Sequence, residues 1–529
     1  MLKNVNNIVI VGGGSAGWMS AAYLIKFFPN LNISLVESPD FPIVGVGEST
    51  LLSIRDFTHK LGLKDEDFMQ ETDASYKMSI KFTDFYEIND GGFHYPFGNP
   101  EYHGKLDGIR DWFVKKALYP KTENNSFAPY YYPSAALYEN NKFCDNRELK
   151  FGHWNPKRDT AFHFDAIKFG QFLKNNYCLP RGVKLIENTV SEVVTDTNGV
   201  SKLVCNDGLE ITADLYLDCT GFKSMLLTKA LKVPFHSWEK ELPNNRAWAT
   251  RIPYKDKDRE LEPFTNCTAI QNGWVWNIPS WSRIGTGYVY SDNFINPEDA
   301  KEEFKQHLMS EKMLYPRTRQ EVDELEFKDI PMRVGLSDRI FEKNVVGIGL
   351  SAGFIEPLES NGLYTVTAFL DKLVKLLLAG SINQFDKDTF NLACTGQFKN
   401  FKEFVAMHYA FTSRTDTEYW RSVFDKTFDE DLYKFVPTAG VGYFDYADQK
   451  NFLDRIDVNR GLIWIASGMN HHIIDKLDVI NSEYDDRANY KELYAPSFSI
   501  VEKQLHDWNN FAKHEKTLNE YLKSTIYCK

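Results

Sequence analysis

An N-terminal apolar run, a glycine-rich loop and a helical stretch open the chain. An acidic residue closes the next apolar run, and strand patterns return far downstream. Together these predict an α/β fold with a Rossmann-type dinucleotide-binding core. The apolar run is Asn7–Val11 and the loop is Gly12-Gly13-Gly14-Ser15-Ala16-Gly17. A helix is expected over Trp18–Phe28, and a second strand over Ile33–Val36 ending in Glu37. In a G-x-G-x-x-G loop the first glycine, Gly12, permits a tight turn. The second, Gly14, lets backbone approach a pyrophosphate, and the third, Gly17, lets helix and strand pack closely. The N–H groups of the turn around Ala16 and the helix dipole then favour phosphate charge. Glu37 falls roughly 20 residues after the loop, where a carboxylate accepts from a ribose hydroxyl.

The loop alone does not choose between NAD and FAD. Three later segments favour FAD. Gly45–Thr50 is a second glycine loop that carries Glu48 and Ser49. Leu215–Cys219 reads as a buried strand closed by Thr220-Gly221. Val345–Ile348 reads as another, running through Gly349-Leu350 toward a helix over residues 363–378 in which Leu363, Val366, Leu370, Leu373, Val374 and Leu377 recur at helical spacing. Each segment alone is a turn or a strand end; jointly they read as a one-flavin fold that returns to its cofactor. Val190 and Leu350 are included among the flavin-contacting positions. The N-terminus of the last helix, near Asn361-Gly362, would offer N–H groups to an anion. No second G-x-G-x-x-G frames a nicotinamide domain.

The expected organisation is a core over residues 1–385, with Rossmann elements interleaved with a sheet-based substrate part. A mainly helical region over 386–529 would complete the substrate pocket. A net charge of -12 argues against nucleic acid and anionic membrane as partners. No apolar run approaches the roughly 18 residues of a membrane span. The seven cysteines form no CxxC pair, which argues against a disulfide framework or a zinc site. No leader is evident before the first strand, so a cytoplasmic location is expected. The 15% aromatic content suits either a filled core or an aromatic-lined cavity.

Several motifs then converge. Val11–Leu24 reads VGGGSAGWMSAAYL, Gly45–Thr50 reads GVGEST, and Gly273–Pro279 carries W-x-W-x-I-P through Trp274 and Trp276. Phe354–Gly362 reads FIEPLESNG, and Phe401–Trp420 contains His408-Tyr409 and Thr412-Ser413-Arg414-x-Asp416-Thr417. In these segments the chain resembles the flavin-dependent tryptophan halogenases over most of its length, the match fading after about residue 425.

The resemblance implies an oxidoreductase in which FADH2 and O2 convert a halide to hypohalous acid. That acid travels through a tunnel to a lysine beside an electron-rich aromatic substrate. By the segment ASYKMSIKF the lysine is Lys77, with Lys81 as the second choice. Glu359 matches the second catalytic residue, and Ser360 would contact substrate. Asn361 and Gly362 match the halide position; the family usually has threonine at the first, so chloride, bromide and iodide stay open. Trp274 and Trp276 would line the tunnel and keep substrate from the flavin. Tyr95 and Phe97 would face substrate, and Tyr95 stands where the family has histidine. His94 reads as a structural histidine. Trp464 is a candidate substrate wall. Gly440–Tyr446 holds no convincing match for the residues that grip the charged ends of free tryptophan, so the substrate is expected to be an indole-, phenol- or larger aromatic-type molecule. FADH2 would come from a separate flavin reductase, and a homo-oligomer stays open. An FAD-dependent aromatic hydroxylase is the alternative; it usually carries Gly-Asp where this chain has Gly349-Leu350. A non-catalytic flavin-binding protein is the third reading, and it would need neither Lys77 nor Glu359.

Overall fold

The computed structural model describes residues 2–3, 5–40, 47–101, 115, 119, 121–426, 465, 467–470 and 490–528. Gly45, Trp464 and the stretch Gly440–Tyr446 lie outside them.

The Rossmann part is a six-stranded sheet in the order Lys184–Glu187, Asn32–Glu37, Asn7–Val11, Leu215–Asp218, Val345–Gly347 and Phe341–Glu342. All neighbours pair parallel except the last two, which pair antiparallel. Its strands are nearly continuous apolar runs, as a sheet covered on both faces requires. Parallel register places Val36 and Asp218 beside Val11, and Gly347 beside Asp218. The carboxyl ends of four strands therefore meet at one edge. This is why segments over three hundred positions apart in sequence return to the glycine loop.

The helix after that loop runs Ser15–Phe27. It starts three residues before the expected Trp18, because Ser15, Ala16 and Gly17 form its first turn. Gly17 makes this geometry possible: a Cβ there would sit 1.9 Å from the Gly12 carbonyl oxygen. Gly12 itself holds φ +116° and has room only for hydrogen against Cys219. The expected late helix forms over Gly362–Leu378 and buries Leu363, Val366, Leu370, Leu373 and Val374.

A second sheet has seven strands, ordered Lys328–Pro331, Arg246–Ile252, Ile284–Tyr290, Gly273–Pro279, Phe264–Ala269, Ser79–Thr83 and Phe93–Pro96. A small antiparallel sheet joins it, with Ala161–Phe164 paired to both Glu48–Ser49 and Ser75–Lys77. The chain passes from the small sheet to the large one between Lys77 and Ser79. Beyond residue 383 the described elements are mostly helices: Gln384–Ala410, Glu418–Lys426, Tyr490–Ala512 and Leu518–Thr525. Among the described residues no helix is long and apolar enough to cross a membrane.

Candidate active site

The glycine loop, Glu37 and the strand ends form the cradle that a dinucleotide needs. Gly14 precedes the helix with no side-chain cap, leaving the first-turn N–H groups without one, and a Cβ on Gly14 would meet open space. Glu37 reaches back over Gly13 and is paired with Lys174 Nζ at 2.6 Å. Asn188 N donates to the Glu37 carbonyl, which brings neighbouring Val190 to the same sheet edge. Leu350 lies in the turn Gly349–Ser351, where a Cβ on Gly349 would stand 3.0 Å from Ala16. These backbone donors, open glycine and carboxylate fit FAD.

Lys77 ends its strand fully buried, between the two sheets. Its Nζ donates to the Thr50 carbonyl at 3.0 Å and to Ser360 Oγ at 2.9 Å, and it stands 5.0 Å from the Phe97 ring centre. Burial lowers its pKa to about 7, against the opposing pull of Glu359, Cys267 and Glu48. An ammonium has three donors, and the described residues take two of them. Lys81, the second choice, is only half-buried on the next strand.

Glu359 closes the short turn Pro357–Glu359 and does not sit in the helix that follows. It is fully buried, and burial raises its pKa. His408 Nε2 lies 2.8 Å from Oε1 and pulls the Glu359 pKa down against the larger effect of burial. Ser360 adopts a left-handed φ of +56° between that turn and the helix from Gly362, and its hydroxyl is the one that accepts from Lys77. Asn361 precedes the helix at Gly362 without a side-chain cap, its amide instead donating to the Glu356 carbonyl at 3.1 Å. First-turn N–H groups are thus left for an anion. Glu48 lies alongside, 3.1 Å from where a Gly362 Cβ would be, and burial pushes its carboxyl up to about 7.

Aromatic rings pack beside Lys77 and His408. Tyr95 packs edge-on against Phe97 and Phe404, and Phe404 against His408. Trp274 and Trp276 are buried with ring centres 6.2 Å apart. His94 accepts or donates at 2.9 Å with Ser79 and stacks on Tyr138 at 4.4 Å, and burial holds its pKa well below the usual value. These are the contacts of a structural histidine.

Sequence reading left three contributors without a role. His408 was noticed only as part of a motif. Glu356 sat inside FIEPLESNG unassigned, yet it anchors the turn: Asn244 Nδ2 donates to it at 2.6 Å, and the Tyr409 hydroxyl donates to its other oxygen. Asn244 carries no local signal at all. A carboxylate before proline in a buried turn was the available clue for Glu356.

The family model for tryptophan halogenase matches residues 7–457. The chain is 34% identical to tryptophan 6-halogenase SttH of Streptomyces toxytricini, over 79% of this chain and 81% of that protein. It is 34% identical to tryptophan 7-halogenase RebH of Lentzea aerocolonigenes, over 80% of this chain and 79% of that protein. Among solved structures, VirX1 in its apo form superposes with a TM-score of 0.89 at 36% identity, covering 99% of this chain and 100% of the other. The crystal structure of SttH gives a TM-score of 0.83 at 28% identity, covering 99% and 100%. The family match over residues 7–457, the two relatives at 34% identity and an α/β fold shared with a solved member place this protein in the family of flavin-dependent tryptophan halogenases.

Proposed function

We propose that this chain uses FADH2, O2 and a halide to halogenate an indole- or phenol-type aromatic, with Lys77 and Glu359 as its working side chains. The observation that carries the proposal is the burial of Lys77 and Glu359 close enough to influence each other's charge, with Phe97 over the lysine and Ser360, next to Glu359 in sequence, accepting from it. Bound reduced FAD, with O2, supplies the oxidising equivalents that turn a halide into hypohalous acid. Everything else falls to the protein. The uncapped N–H groups after Asn361 and Gly362 hold the halide. Trp274 and Trp276 separate the cofactor from the aromatic substrate. Near neutral pH Lys77 exists as both ammonium and amine; the first donates its remaining hydrogen to hypohalous acid, and the second can carry the halogen as a haloamine. Glu359 takes the ring proton when aromaticity is restored, and its raised pKa makes it the stronger base for that proton. Tyr95 and Phe97 hold the substrate face. A separate flavin reductase supplies FADH2.

The test supplies FAD, a flavin reductase, NADH, oxygen and bromide to a panel of indoles and phenols, with products read by mass. Brominated product is expected, and its loss in Lys77→Ala by about a thousandfold, with FAD binding retained, assigns the lysine to the chemistry. Hydroxylated product without halogenation would sink the proposal.

A further inference from the structure

Behind Lys77 runs a file of buried polar side chains. Ser360 Oγ donates to Ser49 Oγ at 3.0 Å. Ser49 Oγ is 2.6 Å from Thr265 Oγ1, and Thr265 Oγ1 is 2.9 Å from His163 Nε2. His163 Nδ1 is 3.1 Å from the Pro279 carbonyl oxygen. All four side chains are buried, His163 fully so. Backbone register builds the file: His163 pairs across the small sheet with Ser49 on one side and Ser75 on the other.

The direction of every bond follows from counting hydrogens. The Pro279 carbonyl only accepts, and Ser75, 3.4 Å from Nδ1, gives its own hydrogen to that carbonyl, so the hydrogen of the neutral imidazole sits on Nδ1 and Nε2 is an acceptor. Thr265 has one hydroxyl hydrogen and must give it to Nε2. Ser49 must then donate to Thr265, Ser360 to Ser49, and Lys77 to Ser360. Each hydroxyl is thereby held with a lone pair toward the lysine.

We propose that His163 is a positioning residue for Lys77, acting through Thr265, Ser49 and Ser360. Its ring nitrogen orients the file so that Ser360 presents an acceptor, never a hydroxyl hydrogen, to the amine. That arrangement favours the ammonium and fixes Nζ in place. The same amine is faced by Glu48, Glu359 and Cys267, which the file does not touch, and His408 lies behind Glu359. Reversing the file would turn a hydroxyl hydrogen toward Nζ and favour the free amine. The catalytic relevance of this file rests on Lys77 being the working amine proposed above; its effect on the amine does not.

The test reads the amine directly. Acetic anhydride labelling across a pH series, with the Lys77 peptide quantified by mass spectrometry, gives the titration midpoint of Nζ in the full chain. Thr265→Val keeps shape and removes both of its hydrogen bonds, freeing Ser49 and Ser360 to turn their hydrogens toward Nζ, and the midpoint should fall by about one unit, the size of one weakened hydrogen bond to a charged group. Thr265→Ser and His163→Gln keep a donor and an acceptor in place and should stay near the unaltered protein. Ser49→Ala breaks the file elsewhere and should repeat the fall if Thr265→Val does not fold. An unmoved midpoint in folded Thr265→Val or Ser49→Ala, or an equal shift in Thr265→Ser, would overturn the proposal. Bromination of indole, measured on the same variants, reports separately: its absence from the unaltered protein counts against the halogenase reading and leaves the amine titration to decide this one.

Discussion

The turn from Gly353 to Gly362 carries two fully buried carboxylates three residues apart, and they are treated in opposite ways. Glu356 has an aligned donor on each oxygen, Asn244 on one and Tyr409 on the other, and Asn244 is itself held by the Tyr419 hydroxyl at 3.1 Å. Glu359 has His408 beside it, but neither of its oxygens meets an aligned donor among the described residues. A buried polar group without partners costs roughly 1–3 kcal/mol, more if charged. Burial raises both carboxyls, but two aligned donors offset part of that cost at Glu356, and more of it is left at the position that faces Lys77. The contrast teaches that two equally buried carboxylates can differ in the hydrogen-bonding capacity left over, and it is the less satisfied one that the proposed chemistry uses.

Substitutions can sharpen this contrast. Glu359→Gln should give the largest effect, lowering kcat for halogenation about a hundredfold while Tm changes by no more than a few degrees, because a neutral amide relieves an ill-satisfied charge. Steady-state rates beside a thermal melt check both halves. Glu356→Gln should do the reverse in kind: its amide has one acceptor oxygen for two donors, Asn244 and Tyr409, and stability should fall by about 2 kcal/mol, measured by denaturant unfolding. A comparable loss of stability in both variants would erase the distinction. The pH dependence follows next. Burial raises the Glu356 carboxyl to about 7, so between its ordinary value and 7 the folded protein holds a proton that the unfolded chain has lost. Its contribution to stability is therefore fullest at low pH and declines as pH rises toward 7. The Tm gap between the unaltered protein and Glu356→Gln should narrow from pH 5 to pH 8. Tyr409→Phe should be the mildest change, costing about 1 kcal/mol and leaving Glu356 one donor.

Much of the cofactor end was readable from residues alone. Asn7–Val11, Glu37, the late strands and the helix after Gly362 formed where expected, with helix starts shifted by one to three residues. The chemistry end was readable only as motif. Lys77 and Glu359 came from resemblance, since nothing in ASYKMSIKF says that this lysine is buried. Ser360, its partner, is 283 positions away. His163 and Thr265 gave no signal, because their roles arise from strands paired across the small sheet and packed on the large one.

The division has a physical cause. A phosphate cradle is made of backbone, and glycine spacing alone dictates which conformations that backbone can take and how near helix, strand and ligand can come. Residues 12–17 and Glu37 needed no distant neighbour to be recognised. The charge on Lys77, the unsatisfied state of Glu359 and the direction of the hydroxyl file are set by water excluded and partners supplied from elsewhere in the chain. Those quantities exist only once the two sheets have closed around them.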